Sequence, residues 1–294
     1  MSIISIILII ILLAGYTAQS FFSKLYSVSY QGKQGCDTPV FSVFYGLIVG
    51  LGTLIYNGFS YSPDTFTLII GILNGATLFF YNISYINSAK RGPYSFQSMM
   101  VAFGNIIIPL AFTLTYWGES IKVITIIGII CMLASFVVFN AKGFKFDDAK
   151  KGYWLWVILL CIFNGMYSEF VDAQTRHESG ALREEMIITT FMTLAIISFI
   201  YLLVIQKGKL KPAFSIGKKA FVNALLSSVG AGIAINLLMI VLASVSSAIL
   251  FPITGGGLLI INAFLGKFAL KEKFDKFRII GIALAAVSLV LVNL

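Results

Sequence analysis

The chain has 294 residues, of which 59% are hydrophobic and only 11% are charged, and its mean hydropathy is +0.95. Average soluble domains are about 25% charged, so this composition excludes a soluble globular protein and indicates an integral membrane protein. The net charge of +9 comes from Lys and Arg residues that lie between apolar segments rather than on one face, which argues against nucleic-acid binding.

The chain offers too few ligands for a structural metal site. Cys131 and Cys161 lie inside apolar segments, Cys36 lies in a short loop, and the sequence has no CxxC pair and only one histidine, His177. We therefore expect neither a metal nor a cofactor.

Ten apolar segments are long enough to cross the hydrocarbon core, which takes about 20 residues of helix. They cover approximately residues 3–23, 39–58, 65–87, 94–116, 121–140, 153–174, 184–205, 219–243, 246–266 and 277–294. Alternating segments typical of barrel strands are absent. The sequence therefore predicts an all-α integral membrane protein with ten transmembrane helices and short connections.

Two segments, Glu119–Asn140 and Glu272–Asn293, repeat one pattern at a constant offset of 153 residues. Such an offset, close to half the chain, indicates duplication. We predict a first five-helix repeat at 1–141, a basic cytoplasmic linker at 142–152 and a second five-helix repeat at 153–294. An odd number of helices gives the repeats opposite orientations, and in secondary transporters inverted repeats hold the substrate near the bilayer midplane.

The distribution of Lys and Arg predicts the orientation. Eighteen of the 21 lie in the connections after helices 1, 3, 5, 7 and 9, whereas Lys122, Arg176 and Arg183 lie on the other side. The positive-inside rule makes the first side cytoplasmic and places both termini outside a cell membrane, plasma or inner, that the chain crosses several times. The bias is 14 to 2 in the second half but 4 to 1 in the first, whose own charges leave its orientation open.

Short motifs recur at equivalent places in the two halves. They are Gly118-Glu119 with Gly128, Lys271-Glu272 with Gly281, Gly15 with Gln19, Gly165 with Glu169, Asn82 with Ala89, and Asn236 with Ala243. With the ten helices, these motifs resemble the EamA-type family of the drug/metabolite transporter superfamily. The chain departs from that family where a tryptophan usually precedes the first-helix glycine, here Ala14 and Asn164, and in its predicted external termini. The resemblance implies a carrier of small metabolites, often an exporter of amino acids or related compounds, that works without ATP.

Glu169 is the candidate for proton coupling. An ionisable side chain within lipid costs at least ~2.5 kcal/mol at the helix centre, and beyond the first two residues of each predicted span the only charged residues inside a span are Glu169 and Asp172. The alternative is a carboxylate at the outer mouth, paired with Arg176 or Arg183. The repeat partner of Glu169 is Gln19, which cannot titrate, so any coupling would be one-sided.

Polar side chains inside the spans are the candidate substrate ligands, because an amide in lipid must find partners in the protein or in a wet cavity. The candidates are Asn74, Asn82, Gln97, Asn105, Asn164, Tyr167, Asn236 and Thr254. For any one asparagine the alternative is an interhelical hydrogen bond worth ~0.6 kcal/mol. Aromatic residues near these positions could form an amphipathic wall for an organic substrate: Tyr16, Tyr81, Tyr85, Phe96 and Tyr167.

Proline and glycine mark candidate gating positions. Pro109 lies in helix 4, and Pro252 with Gly255, Gly256 and Gly257 lies in helix 9, where they predict a hinge. The glycines do not form a phosphate loop, since no P-loop residues follow and no strand precedes them. The pairs Gly46/Gly50 and Gly71/Gly75 instead predict close helix packing.

These features favour secondary active transport of a small organic metabolite, amino acid-like or related, by alternating access, with export favoured and proton coupling as an option. The alternatives are uptake of a sugar or another solute and, in a different class, a membrane protein with a structural or assembly role. We expect no enzyme, since no HExxH or GxSxG motif occurs. The expected partners are a small-molecule substrate and membrane lipid, without nucleic acid. A monomer is expected, with a homodimer left open.

Overall fold

The structure is a computed structural model, which describes residues 3–89, 91, 94–118, 121–139, 152–269 and 276–292. Outside these residues lie the repeat glutamates Glu119 and Glu272, the final asparagines of the repeat, Asn140 and Asn293, and residues 142–151 of the predicted linker.

The described part of the chain contains ten α-helices and a short 3-10 helix, and no strand. The α-helices are α1 (Ile3–Ser29), α2 (Asp37–Tyr56), α3 (Thr65–Ala89), α4 (Tyr94–Thr115), α5 (Val123–Phe139), α6 (Tyr153–Arg176), α7 (Arg183–Ile205), α8 (Gly217–Leu242), α9 (Ser247–Ala269) and α10 (Lys276–Val292). The 3-10 helix, Glu178–Ala181, connects α6 to α7. The all-α class predicted from the sequence is confirmed.

Six of the described helices, α1, α2, α3, α6, α7 and α8, are long and apolar enough to cross a membrane. Shorter apolar segments occur at Phe103–Thr115 in α4, Val123–Val138 in α5 and Ser247–Leu258 in α9. Large apolar side chains remain exposed along the long helices, such as Ile4 at 70%, Ile55 at 60% and Val204 at 70%. These features fit a multi-pass membrane protein, and the count of ten spans stays a prediction.

The helices group into two compact units, each built from two stretches of sequence. The first unit comprises Met1–Ile83 and Phe170–Ala243, and the second comprises Ser84–Glu169 and Ser244–Leu294. In the first unit α1 packs on α8, and α2 packs on α7 and α8. In the second unit α5 packs on α10, and α9 packs on α4 and α10.

Small residues allow the helices of the first unit to approach closely. A Cβ atom at Gly71 would lie 2.6 Å from the Thr189 Cβ, and one at Gly75 would lie 2.5 Å from the Thr190 carbonyl oxygen. At Gly46 the added atom would overlap the Phe191 carbonyl oxygen. The packing role predicted for the two glycine pairs is confirmed, and α7 is the helix against which both pack.

Two pairs of loops contact each other within the first unit, and in each pair the charge pattern assigns both loops to the same side of the membrane. The Lys33 N–H donates to the Pro212 carbonyl at 3.0 Å, and the Tyr30 hydroxyl donates to the Ala213 carbonyl at 2.8 Å, which joins the loop after α1 to the loop after α7. The Ser179 hydroxyl donates to the Asp64 carboxylate, which joins the 3-10 helix to the loop after α2.

Candidate functional site

In the second unit α4 and α6 cross with their backbones in contact. A Cβ atom at Gly104 would overlap the Cys161 carbonyl oxygen, and one at Gly165 would lie 2.5 Å from the Gly104 carbonyl oxygen. Glycine is therefore required at both positions for this crossing. Asn105 follows the first of these glycines and Asn164 precedes the second, and both are predicted substrate ligands.

The crossing brings Asn105 and Asn164 together in one hydrogen-bond network. The Asn164 amide nitrogen donates to the Asn105 side-chain oxygen at 3.2 Å and to the Val101 carbonyl at 2.7 Å. The Ser168 hydroxyl also donates to the Asn105 side-chain oxygen. Ser168 is 3% exposed and Asn164 8%, whereas Asn105 is half-buried. We name Asn105, Asn164 and Ser168 the amide network.

Proline adds a polar backbone group to this network. Pro109 lies inside α4, and a proline at that position cannot donate the helical hydrogen bond to the carbonyl of Asn105. The Asn105 backbone carbonyl therefore lacks its usual helical donor at the crossing, and its side-chain oxygen accepts from Asn164 and Ser168.

Glu169 follows Ser168 on α6, and its side chain is 3% exposed. Its Oε1 accepts a hydrogen bond of 3.0 Å from the indole Nε1 of Trp117, which follows the end of α4. The two arginines that the sequence offered as partners make other ion pairs: Arg176 contacts Asp172 at 2.8 Å, and Arg183 contacts Glu184 at 2.8 Å. The Glu169 carboxylate is thus buried beside an aromatic donor.

The first unit holds a second polar cluster, from α1, α2 and α3. The Gln19 amide donates to the Tyr45 hydroxyl at 3.1 Å, and the Asn82 amide donates to the Ser42 hydroxyl at 2.9 Å. Tyr16 and Tyr81 lie close to Tyr45. We name this group of residues the tyrosine–amide cluster: Tyr16, Gln19, Ser42, Tyr45, Tyr81 and Asn82.

Two further predicted asparagines lie in the first unit. The Asn236 amide donates to the Gly232 carbonyl of its own helix at 2.8 Å and to the Thr53 hydroxyl at 3.3 Å, which fits an interhelical hydrogen bond. Asn74 is 1% exposed, and neither atom of its amide has a hydrogen-bond partner in the described part of the chain.

Of the remaining predicted residues, Tyr167 lies next to the amide network and Thr254 does not contact it. Tyr167 is half-buried on α6 beside Ser168. Thr254 is 2% exposed and donates to the Phe251 carbonyl of its own helix at 3.0 Å. The side chains of Gln97 and Phe96 lie outside the described residues.

The predicted hinge region of α9 is helical throughout. Pro252 lies inside α9, and the glycines follow it without interrupting the helix. A Cβ atom at Gly256 would overlap the Met132 side chain of α5, whereas one at Gly255 would lie 3.8 Å from Ile106 and Phe136. Gly256 thus permits close packing of α9 on α5 in this conformation, and the hinge stays a prediction.

A polar clamp joins the start of α3 to the 3-10 helix in the first unit, and we name it the Asp64 clamp, formed by Asp64, Phe66, His177 and Ser179. The ring of His177 stacks on Phe66 with centroids 3.7 Å apart, and its Nδ1 accepts from the Ser179 N–H at 3.1 Å. The hydroxyl of Ser179 and the N–H of Thr67 donate to Asp64, and these hydrogen bonds lower the pKa of its carboxyl group.

An open apolar cavity of about 270 Å³ lies between α2 and α7, bounded by Gly50, Leu51, Leu54, Tyr61, Ile188, Thr189 and Met192. None of the predicted site residues lines it. Among the described residues, no group of three or more His, Cys, Asp or Glu side chains could hold a metal ion.

Comparison with known proteins identifies the fold alone. No protein-family pattern matches the sequence, and no curated protein matches it. One solved crystal structure of a protein superposes with a TM-score of 0.74, covering 97% of this chain and 98% of the other at 18% identity. The arrangement of helices is therefore one that a solved protein also adopts.

Several residues of the clusters have no obvious signal in the sequence. These residues are Trp117, Ser168, Tyr45 and Ser42. A hydroxyl or indole within a hydrophobic segment is common, and only the helix crossings show which of them meets an amide or a carboxylate. The proximity of Ser168 to Glu169 in sequence is the one signal that could have been used.

Proposed function

We propose that this chain is a secondary active transporter that moves a small organic metabolite across a cell membrane by alternating access, as EamA-type transporters do. The substrate class is amino acid-like or related, and export is the favoured direction. The proposal includes ten membrane spans arranged as a 5+5 inverted repeat.

The buried polar groups of the second unit are the observation that carries the proposal. The amide network and Glu169 lie on apolar helices, where each polar group costs free energy that packing with leucine or valine would avoid. A purely structural bundle would need only scattered interhelical hydrogen bonds. Consecutive polar residues, Ser168 and Glu169, at a glycine crossing fit a pathway for a polar solute better.

The helix pairing supports the repeat. The 5+5 repeat makes α2 equivalent to α7, α4 to α9, and α5 to α10, and within the units each of these helices packs on its own equivalent. Pairing of this kind is expected where a two-fold axis relates two copies of one fold. Inverted repeats of this type are a frequent architecture of secondary transporters.

Glu169 is the proposed proton-coupling residue. A carboxyl group buried in an apolar setting can change its charge when a proton or a cationic solute group enters, and membrane carboxylates commonly mark such pathways. The residue equivalent to Glu169 in the other repeat is Gln19, whose amide donates to the Tyr45 hydroxyl and does not ionise. Coupling therefore depends on one half of the repeat.

The proposal is tested by reconstituting the full chain in liposomes and measuring uptake of labelled amino acids, sugars and organic cations, with and without an imposed pH gradient. We expect at least one amino acid-like solute to accumulate, and Asn164→Leu to abolish that accumulation. Asn57→Leu is the matched control, because Asn57 lies in the loop after α2 and donates to Glu185 outside both clusters. Equal permeability of protein-containing and empty liposomes to every solute would favour the structural alternative.

A further inference from the structure

Lysines from two parts of the sequence lie at one end of the first unit, and we name this surface the basic end. It is built from the loop after α1 and from the segment that runs from the end of α7 to the start of α8. Its six lysines are all exposed: Lys33, Lys207, Lys209, Lys211, Lys218 and Lys219. Asp37 is the one acidic residue within residues 30–40 and 206–220. Among the described residues, none of the six ammonium groups forms an ion pair, so the positive charge of this surface is not neutralised.

The loop after α1 is held against both the end of α7 and the start of α8. The Lys33 Nζ donates to the Gln206 side-chain oxygen at 2.8 Å, and the Lys33 backbone N–H donates to the Pro212 carbonyl at 3.0 Å. At the start of α8, a Cβ atom at Gly217 would lie 2.9 Å from the Gln31 side-chain oxygen. The two segments therefore present their lysines on one surface.

A buried core supports this surface. Tyr26 and Cys36 pack with Leu202 of α7 and with Ala213 and Ile216 of the segment between α7 and α8. Because the core holds the backbone of both segments, an anion that binds here has to order little more than the lysine side chains. Such a preorganised surface binds at a lower entropic cost than a flexible basic tail.

Exposed apolar side chains lie directly beside the lysines. α7 and α8 are both long and apolar enough to cross a membrane. Val204, three residues before Lys207, is 70% exposed, and Phe221, two residues after Lys219, is 43% exposed. In a bilayer such side chains contact acyl chains, while lysines at the helix ends extend their ammonium groups to the level of the headgroups.

Positive charge beside an exposed apolar surface matches a ligand that has an anionic headgroup and acyl chains. Clusters of four to eight Lys or Arg next to a membrane helix attract anionic lipids, with a favourable contribution from each charge. A free anion or a soluble acidic polymer would use the lysines alone. An anionic phospholipid uses the lysines and the exposed apolar side chains together.

We propose that the basic end binds the headgroup of an anionic phospholipid, whose acyl chains lie against the exposed apolar side chains of α7 and α8. The site lies within the first unit. It is a lipid site distinct from any substrate site, and it does not depend on the proposed transport function.

Binding is measured as retention of radiolabelled phosphatidylglycerol by the immobilised full-length protein in a neutral detergent. Unlabelled phosphatidylglycerol should displace the label about tenfold or more effectively than phosphatidylcholine, inorganic phosphate or a poly-glutamate peptide. Raising the salt concentration from about 0.1 M to about 1 M should weaken retention, because it shortens the Debye length from about 10 Å to about 3 Å.

Two pairs of substitutions test whether both segments belong to one site. Lys209→Gln/Lys211→Gln and Lys218→Gln/Lys219→Gln should each weaken retention about tenfold or more, since each removes two charges. Lys218→Arg/Lys219→Arg keeps the charge and should retain the lipid. These side chains are exposed, so every variant should unfold without lipid at the wild-type Tm.

Lys122→Gln/Lys276→Gln is the matched control, because it removes two exposed positive charges outside the first unit. It should leave retention unchanged. The proposal is overturned by equal displacement with phosphatidylcholine, by phosphate or poly-glutamate competing as well as the lipid, by undiminished retention in either glutamine pair, or by an equal loss in the control. Selective retention by a protein that transports no solute would refute the proposed function and leave the lipid site standing.

Discussion

The indole Nε1 of Trp117 donates a hydrogen bond of 3.0 Å to the buried carboxylate of Glu169. The pair joins the end of α4 to α6 beside the amide network, within the second unit. A donor at this position offsets part of the free-energy cost of burying the Glu169 carboxylate.

Trp117→Phe should destabilise the protein by about 1–3 kcal/mol, because it removes a donor from a buried carboxylate while keeping the aromatic ring. Glu169→Gln in the same background should recover part of this loss, since the neutral amide costs less to bury. Thermal unfolding in detergent measures both effects.

Trp154→Phe is the control for this prediction, since Trp154 is 40% exposed at the start of α6. We expect no measurable loss of stability for Trp154→Phe. A Trp117→Phe variant as stable as Trp154→Phe would show that the indole hydrogen bond contributes nothing.

The crossing of α4 and α6 should tolerate no side chain at its glycines. Gly165→Ala places a methyl group 2.5 Å from the Gly104 carbonyl oxygen, so the helices must separate. We expect a loss of about 1–3 kcal/mol in stability and a larger loss of transport, because the amide network depends on this crossing.

Gly52→Ala is the matched helical control. Gly52 lies in α2 with no atom within 4 Å of an added Cβ. Alanine there should be neutral or stabilise the helix by up to about 1 kcal/mol. Comparable losses in Gly52→Ala and Gly165→Ala would contradict the crossing as the cause.

The Asp64 clamp should weaken in acid. Hydrogen bonds from Ser179 and Thr67 hold the pKa of Asp64 below its ordinary value of about 3.9. A carboxyl group with a lowered folded-state pKa stabilises the fold above the unfolded pKa and loses that contribution as the pH falls through the folded pKa. The difference in Tm between wild type and Asp64→Asn should therefore be constant near neutrality and shrink below about pH 4.

Thermal unfolding from pH 3 to pH 7 tests this prediction. Glu178→Gln is the control, because Glu178 is an exposed carboxylate of the adjacent 3-10 helix. A Tm difference for Asp64→Asn that stays constant across this range, or that equals the difference for Glu178→Gln, would exclude the clamp as its origin.

The sequence predicts the helices well because hydrophobic length and glycine spacing are local properties. The bounds of α3 and α6 agree with their predicted spans within a few residues, and the Gly71/Gly75 pair packs as expected. The partner of Glu169 was not predictable in the same way. Arg176 is near Glu169 in sequence, but Trp117 reaches it through tertiary packing, which no periodicity reports.

Predicted polar residues also differ in ways that only packing decides. Asn105 and Asn164 meet because the glycines beside them let the backbones touch. Asn236 instead bonds to its own helix and to Thr53, and Asn74 has no partner in the described structure. From the sequence the four asparagines were alike, since each is an amide in an apolar helix.

Counterflow in liposomes tests the central claim, that the chain is a carrier, most directly. Liposomes with the reconstituted protein are loaded with an unlabelled solute that the uptake screen identifies, and entry of trace labelled solute is followed without any ion gradient. A carrier predicts transient accumulation of label above equilibrium for the wild type, which Asn164→Leu abolishes and Asn57→Leu retains. Entry of label only up to equilibrium, or at the rate of protein-free liposomes, would contradict alternating-access transport.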